Sequence, residues 1–135
     1  LFRSINDNPV EGLCNSDYFE DFKRLFLRVC EEEKIAVKTI LRAAVNCTSY
    51  SPLKHSGIHL DHYGFEHYNF IMYLNNVGGS TYFFDSTDEA TANIIAEIKP
   101  EVNKVVVFKG CPHAQGHCIE GEYRFVLVFT FTLKE

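Results

Sequence analysis

The triplet His59-Leu60-Asp61 sets an imidazole and a carboxylate one residue apart. In an extended strand the side chains alternate faces, so positions 59 and 61 project together and Leu60 points away. That pair offers two neighbouring ligands to one divalent metal. It is incomplete alone, because a site of two imidazoles and one carboxylate with open positions opposite needs a second histidine on the same side of the ion. His113 and His117, in the Gly- and Pro-bounded segment KGCPHAQGHC (109–118), are the two downstream candidates. A different chemistry is offered by Arg124 in EYRFVLVFTFTL (122–133). Both faces of that run are largely apolar, and a guanidinium is costly to bury there unless an anion meets it. Arg124 therefore calls for a carboxylate, either from the chain, with Glu66 and Asp85 as candidates, or from a ligand.

The elements that must position these groups follow from periodicity. Residues 1–15 mix Asn, Asp, Pro and Gly without a period and read as a lead-in or loop. From a cap at Asn15 or Ser16, Phe19, Phe22, Leu25, Phe26 and Val29 recur at three and four, which predicts an amphipathic helix over 16–34 whose aromatic stripe packs on a sheet. The β-branched run 36–50 predicts a strand, 51–57 a turn, and the His59 segment a further strand. YNFIMYL (68–74), TYFF (81–84) and the long 122–133 run are strands, and 94–99 with 104–108 read as a hairpin. One helix followed by about seven short strands predicts a mainly β fold, a jelly roll flanked by the helix, in a single domain over 1–135 with its core in 36–135. In such folds a ligand site lies at the mouth where strands end, and the aromatic loop HYGFEHY (62–68) is expected to border it.

Composition bounds the partners. The chain has 135 residues, 46% of them hydrophobic, with 12 Phe and 7 Tyr, a strand-favouring mixture sufficient for one core. A net charge of −5 argues against nucleic-acid phosphate as the main partner, and a small-molecule or peptide substrate is expected instead. Five Cys form no dense disulfide framework, and no apolar run is long enough to span a bilayer, so a soluble protein of a reducing, intracellular (cytoplasmic) compartment with no membrane partner is expected.

Four segments in this order, HLD (59–61), IMYLNNVGGSTYFFD (71–85), NKVVVFKGCPH (103–113) and GEYRFVLVFTF (121–131), resemble the iron(II)- and 2-oxoglutarate-dependent dioxygenases, in the branch of prolyl 4-hydroxylases and related short microbial and viral enzymes. The resemblance covers roughly residues 46–133 and implies a double-stranded β-helix, a jelly-roll variant. Carried over by position, it makes His59, Asp61 and His113 the iron ligands, with Arg124 on the distal carboxylate of 2-oxoglutarate. It gives Tyr73 a hydrogen bond to the same carboxylate and Tyr50 a further cosubstrate contact. His113 is preferred to His117 because Gly121 then stands at the family's usual offset. Some members carry a Ser two residues after the Arg, where this chain has Val126. The implied reaction uses Fe(II), 2-oxoglutarate and O2, with ascorbate as an auxiliary reductant. It hydroxylates an unactivated C–H bond, as on a prolyl peptide or amino acid, and releases succinate and carbon dioxide. A metal-binding jelly roll without turnover and a cupin-type metalloenzyme are the alternatives, and neither needs Arg124.

Overall fold

In the computed structural model the backbone is described for residues 2–5 and 8–135, and side chains from residue 14 onward. The elements are β1 (Phe2–Ile5), β2 (Asn8–Cys14), α1 (Phe19–Glu32), β3 (Val37–Ser49), β4 (Tyr68–Tyr73), β5 (Thr81–Phe84), β6 (Ile94–Ile98), β7 (Val105–Lys109), β8 (His113–Gln115) and β9 (Tyr123–Leu133). They form a six-stranded sheet, β2-β1-β3-β9-β4-β7, and a three-stranded sheet, β6-β5-β8.

The alternation of β9 organises both layers. Leu127, Phe129 and Phe131 point to one face, where they join Phe70 of β4, Ala43 of β3 and the helix residues Phe19, Phe26 and Cys30 in one buried cluster. Phe26 stacks on Phe129 with ring centroids 4.4 Å apart and is fully buried. Burying such a ring contributes roughly 1.5–3 kcal/mol, so the stripe fixes α1 against the large sheet. The opposite face carries Arg124, Val126 and Val128 of β9 with Asn69 and Ile71 of β4, and these line a cavity. One two-residue period thus decides which side chains make core and which make site.

Three local expectations need correction. Residues 1–15, read as a lead-in, contain two antiparallel strands, with Phe2 and Arg3 of β1 pairing with Ala43 and Arg42 of β3; residues 1, 6 and 7 of that segment lie outside the described ones. Pro9 hides this pairing from a sequence pattern, yet it is compatible with an outermost strand such as β2, where a missing N–H breaks no ladder. The helix begins at Phe19 and not at 16: Ser16 acts one step earlier, its hydroxyl accepting from the Tyr18 N–H at 3.3 Å and its carbonyl from Phe19 at 3.2 Å. At the other end Lys34 adopts φ 59°, and the Ile35 N–H returns to the Cys30 carbonyl at 2.8 Å, which stops the helix at Glu32.

The third correction is topological. Segments 94–99 and 104–108 have hairpin spacing, but β6 pairs with β5 in the small sheet and β7 with β4 in the large one. The crossing is held at the end of β4, where the Tyr73 N–H donates to the Lys104 carbonyl at 3.0 Å and the Asn103 N–H to the Tyr73 carbonyl at 2.9 Å. Local sequence does not distinguish a hairpin from a corner, because the deciding partner, β4, lies elsewhere in the chain.

Candidate active site

His59 lies in no named strand. It forms an isolated antiparallel bridge with His113, the first residue of β8, in which each N–H donates to the other's carbonyl at 3.0 Å. Residues so paired sit directly opposite each other and project to the same side, which brings the two imidazoles to a centroid separation of 4.6 Å. The alternation expected of a strand still holds: His59 and Asp61 line the main cavity, whereas Leu60 and His62 line a smaller hollow behind it. One potential donor atom from each of His59, Asp61 and His113 lies within 4.8 Å of the others.

Hydrogen bonds set the ligand atoms. Nδ1 of His59 meets the Gly57 carbonyl at 3.0 Å and Nδ1 of His113 meets the Cys111 carbonyl at 2.9 Å. A carbonyl oxygen only accepts, so each Nδ1 carries the proton and each Nε2 keeps a lone pair for a metal. His113 Nε2 lies 3.4 Å from Asp61 Oδ2, which also accepts a short bond from Asn69 Nδ2. Burial lowers the His113 pKa below its ordinary value, more than the neighbouring Cys111 carbonyl and Asp61 raise it, which keeps the imidazole neutral and ligating at physiological pH. This set of two nitrogens and one carboxylate oxygen fits Fe(II) with open coordination positions. His117 does not line the cavity, and its buried Nδ1 has no partner among the described residues.

The cavity measures about 500 Å³ and lies between the two sheets, with Arg124 in its wall. Arg124 is 2% exposed. One Nη donates to the Thr81 hydroxyl at 2.9 Å; Nε and the other Nη have no hydrogen-bond partner among the described residues. Burial lowers its pKa, with Tyr73 the largest opposing influence. Neither expected internal carboxylate reaches it, because Glu66 is held by Lys109 and Asp85 by Asn93. Two further buried polar atoms in the cavity lining, Thr48 Oγ1 and Asn69 Oδ1, are likewise unpartnered.

The two tyrosines fare differently. Tyr73 is fully buried behind the lining, its hydroxyl 2.7 Å from Thr81 Oγ1 and its ring centroid 5.4 Å from the Arg124 guanidinium carbon, so it supports Arg124 and Thr81 from beneath. Tyr50, 49% exposed just past the end of β3, does not line the cavity. The 62–68 loop also stays outside it and borders the rear hollow; within that loop His67 is buried, not at the surface. Close backbone approach holds the small sheet in register beside the site. Gly79 has φ 85°, and a Cβ there would lie 2.5 Å from the Gly116 carbonyl oxygen. Gly116 in turn donates to Ser80 at 2.6 Å, which fixes Thr81 and His113 on neighbouring strands.

A crystal structure of a Pseudomonas putida prolyl-4-hydroxylase is similar to this architecture, with a TM-score of 0.53 at 19% identity. The chain has a double-stranded β-helix fold. The likeness covers 87% of this chain and 64% of the hydroxylase, and at this identity it speaks for the fold alone. No family profile and no curated protein matches the sequence. Among the described residues, no helix is long and apolar enough to cross a membrane.

Four residues of the site escaped the sequence reading: Arg42, Thr48, Asn69 and Thr81. Each is a polar residue inside a strand. Asn69 had a usable signal, because it interrupts the apolar run of β4 in the same phase as Tyr73.

Proposed function

We propose that this chain is an Fe(II)- and 2-oxoglutarate-dependent oxygenase that hydroxylates a C–H bond of a small-molecule or peptide substrate, with His59, Asp61 and His113 holding the metal. The observation that carries this reading is Arg124, a buried guanidinium without a carboxylate partner among the described residues, in the wall of the cavity that holds the triad. A metal-binding module or a cupin-type enzyme has no use for such a charge. The spacing supports a dicarboxylate. Thr81, which anchors Arg124, is the register partner of Gln115, and His113 is the partner of Phe83. The backbone positions of Thr81 and His113 are therefore offset by roughly 7 Å along the strands and about 5 Å across them. A five-carbon diacid, with terminal carbons roughly 5 Å apart, spans such an interval when a guanidinium reaches toward one end and a metal takes the other.

Bound iron would supply chelation of the 2-oxo acid, activation of oxygen and the oxidative decarboxylation that yields succinate. The chain's own contributions are positional. His59 and His113 present Nε2 because their Nδ1 protons are engaged, and Asn69 holds the Asp61 carboxylate. Arg124, braced by Thr81 and Tyr73, would hold the far carboxylate, with Val126, Val128 and Ile71 excluding water around the carbon chain. The similar hydroxylase makes a prolyl group one substrate to test.

The deciding experiment is anaerobic titration of 2-oxoglutarate into the Fe(II)-loaded protein. A weak visible charge-transfer band that saturates with 2-oxoglutarate is expected, and no binding would overturn the reading. The third ligand has its own test by anaerobic calorimetry with Fe(II). His113→Ala should weaken metal binding by about 100-fold, while His117→Ala changes it little, since even outer-sphere partners of a metal typically contribute roughly 10- to 100-fold. The reverse ranking would move the ligand to His117.

A further inference from the structure

The cavity holds a second cation that neither the triad nor the cosubstrate uses. Arg42 of β3 lines it, and its side chain is 34% exposed, open to solvent where Arg124 is sealed. Its one ion pair among the described residues is with Asp61 Oδ1 at 3.9 Å, beyond hydrogen-bond reach. Lys23, Arg24, Arg28, Lys104 and Lys109, by contrast, each hold a carboxylate at 3.5 Å or closer.

Strand register separates the two arginines. Arg124 is opposite Thr48, whereas Arg42 is opposite Thr130, which on its other side is opposite Asn69, the residue that holds Asp61. Arg124 thus marks one end of the cavity wall, and Arg42 the end nearest the metal-ligating carboxylate. Among the described residues, Asp61 is the only Asp or Glu lining the cavity. A divalent ion on Asp61 would take up that carboxylate's charge and weaken its hold on Arg42 further. A dianionic cosubstrate would in turn be matched by the ion's remaining charge and by Arg124. The guanidinium of Arg42, partly exposed in the same cavity and 3.9 Å from Asp61, is then the charge left over.

We infer that the primary substrate is a small monocarboxylic acid, such as a free amino acid, whose carboxylate is bound by Arg42, and not an internal residue of a neutral peptide. This inference rests on the oxygenase reading above and narrows its substrate. The forked guanidinium suits a carboxylate in two-point contact and fixes which carbon faces the metal. The wall it occupies belongs to β3, which agrees with the absence of the 62–68 loop from the cavity lining.

The test uses the full chain loaded anaerobically with Fe(II) and 2-oxoglutarate. The probes are the free L-amino acids, each paired with its carboxamide, and an N-acetylated, C-amidated prolyl peptide. Binding is read by calorimetry and by the shift of the charge-transfer band. At least one free acid should bind about tenfold or more tightly than its amide, the scale of one charge-assisted contact. Arg42→Gln should erase that preference, Arg42→Lys should keep part of it, and both should bind Fe(II) and 2-oxoglutarate as the parent does. The proposal is overturned if no free acid binds, if amides or the blocked peptide bind as well as the acids, or if Arg42→Gln leaves the preference intact. A loss of iron affinity in Arg42→Gln with the acid preference preserved would make Arg42 a positioning residue for Asp61 and would also sink it. Absence of the 2-oxoglutarate band in the parent protein would instead remove the oxygenase reading beneath it.

Discussion

Asp61→Ala is expected to lower Fe(II) affinity by about 100-fold or more, since it removes the one anionic donor where even second-sphere losses cost roughly 10- to 100-fold. The two imidazoles stay paired through their backbone bridge, so the site keeps its shape but loses the charge that offsets a divalent ion. Thermal melting gives an independent readout. A metal at about 100 times its Kd raises stability by roughly 2.7 kcal/mol, and that increment should vanish in the variant. The apo protein should lose roughly 1–3 kcal/mol, because the change leaves Asn69 Nδ2 without its acceptor, while the β-sheet signal persists. Unchanged metal affinity in a folded Asp61→Ala protein would dismiss the triad.

The legible part of this site was carried by residues whose type is rare in its setting. An Arg in an apolar strand is conspicuous because a hydrophobe is expected there, whereas the His-Asp alternation gained its weight from the segments downstream of it. The jelly roll was readable from one helix followed by about seven short strands, and its double-stranded β-helix form from the resemblance; the structure then seats one face of β9 on α1 and the other on the cavity. What was not legible depended on pairing between distant segments. Thr48 becomes significant only because β3 lies beside β9 and sets it opposite Arg124. Arg42 looks like one of many surface cations until the register puts it in the row with Thr130 and Asn69. The 94–108 hairpin failed on the same ground, since two strands of good hairpin spacing found better partners in different sheets. Tyr73 illustrates an intermediate case. The resemblance gave it a hydrogen bond to the cosubstrate carboxylate; in the structure its hydroxyl meets Thr81, which also accepts from Arg124.

Arg124→Gln should weaken 2-oxoglutarate binding by about 100-fold or more and leave Fe(II) binding unchanged. Each hydrogen bond to a charged group contributes roughly 1.5–3 kcal/mol, two of them exceed the ~2.8 kcal/mol that corresponds to 100-fold, and the guanidinium stands apart from the metal donors. Arg124→Lys should fall between, because an ammonium keeps the charge and loses the planar fork. Thr48→Val, which removes the unpartnered hydroxyl opposite Arg124, should cost a smaller factor, about tenfold, for one such contact. It tests whether β3 supplies the hydroxyl that Val126 lacks. The apo protein carries the opposite signature. A buried guanidinium without a carboxylate is a desolvated charge held in place for a ligand, so Arg124→Met, similar in shape and uncharged, should raise the melting temperature of the apo protein while abolishing cosubstrate binding. Exchanging buried ionic groups for well-packed hydrophobic ones stabilises by roughly 1–4 kcal/mol in favourable cases. An internal salt bridge predicts the reverse, because removing one partner would strand the other. Stabilisation of the apo chain together with loss of 2-oxoglutarate binding would mark Arg124 as a residue kept for its ligand at the expense of the fold. A destabilised variant that still binds 2-oxoglutarate like the parent would return Arg124 to a structural role and leave only a metal site on a jelly roll.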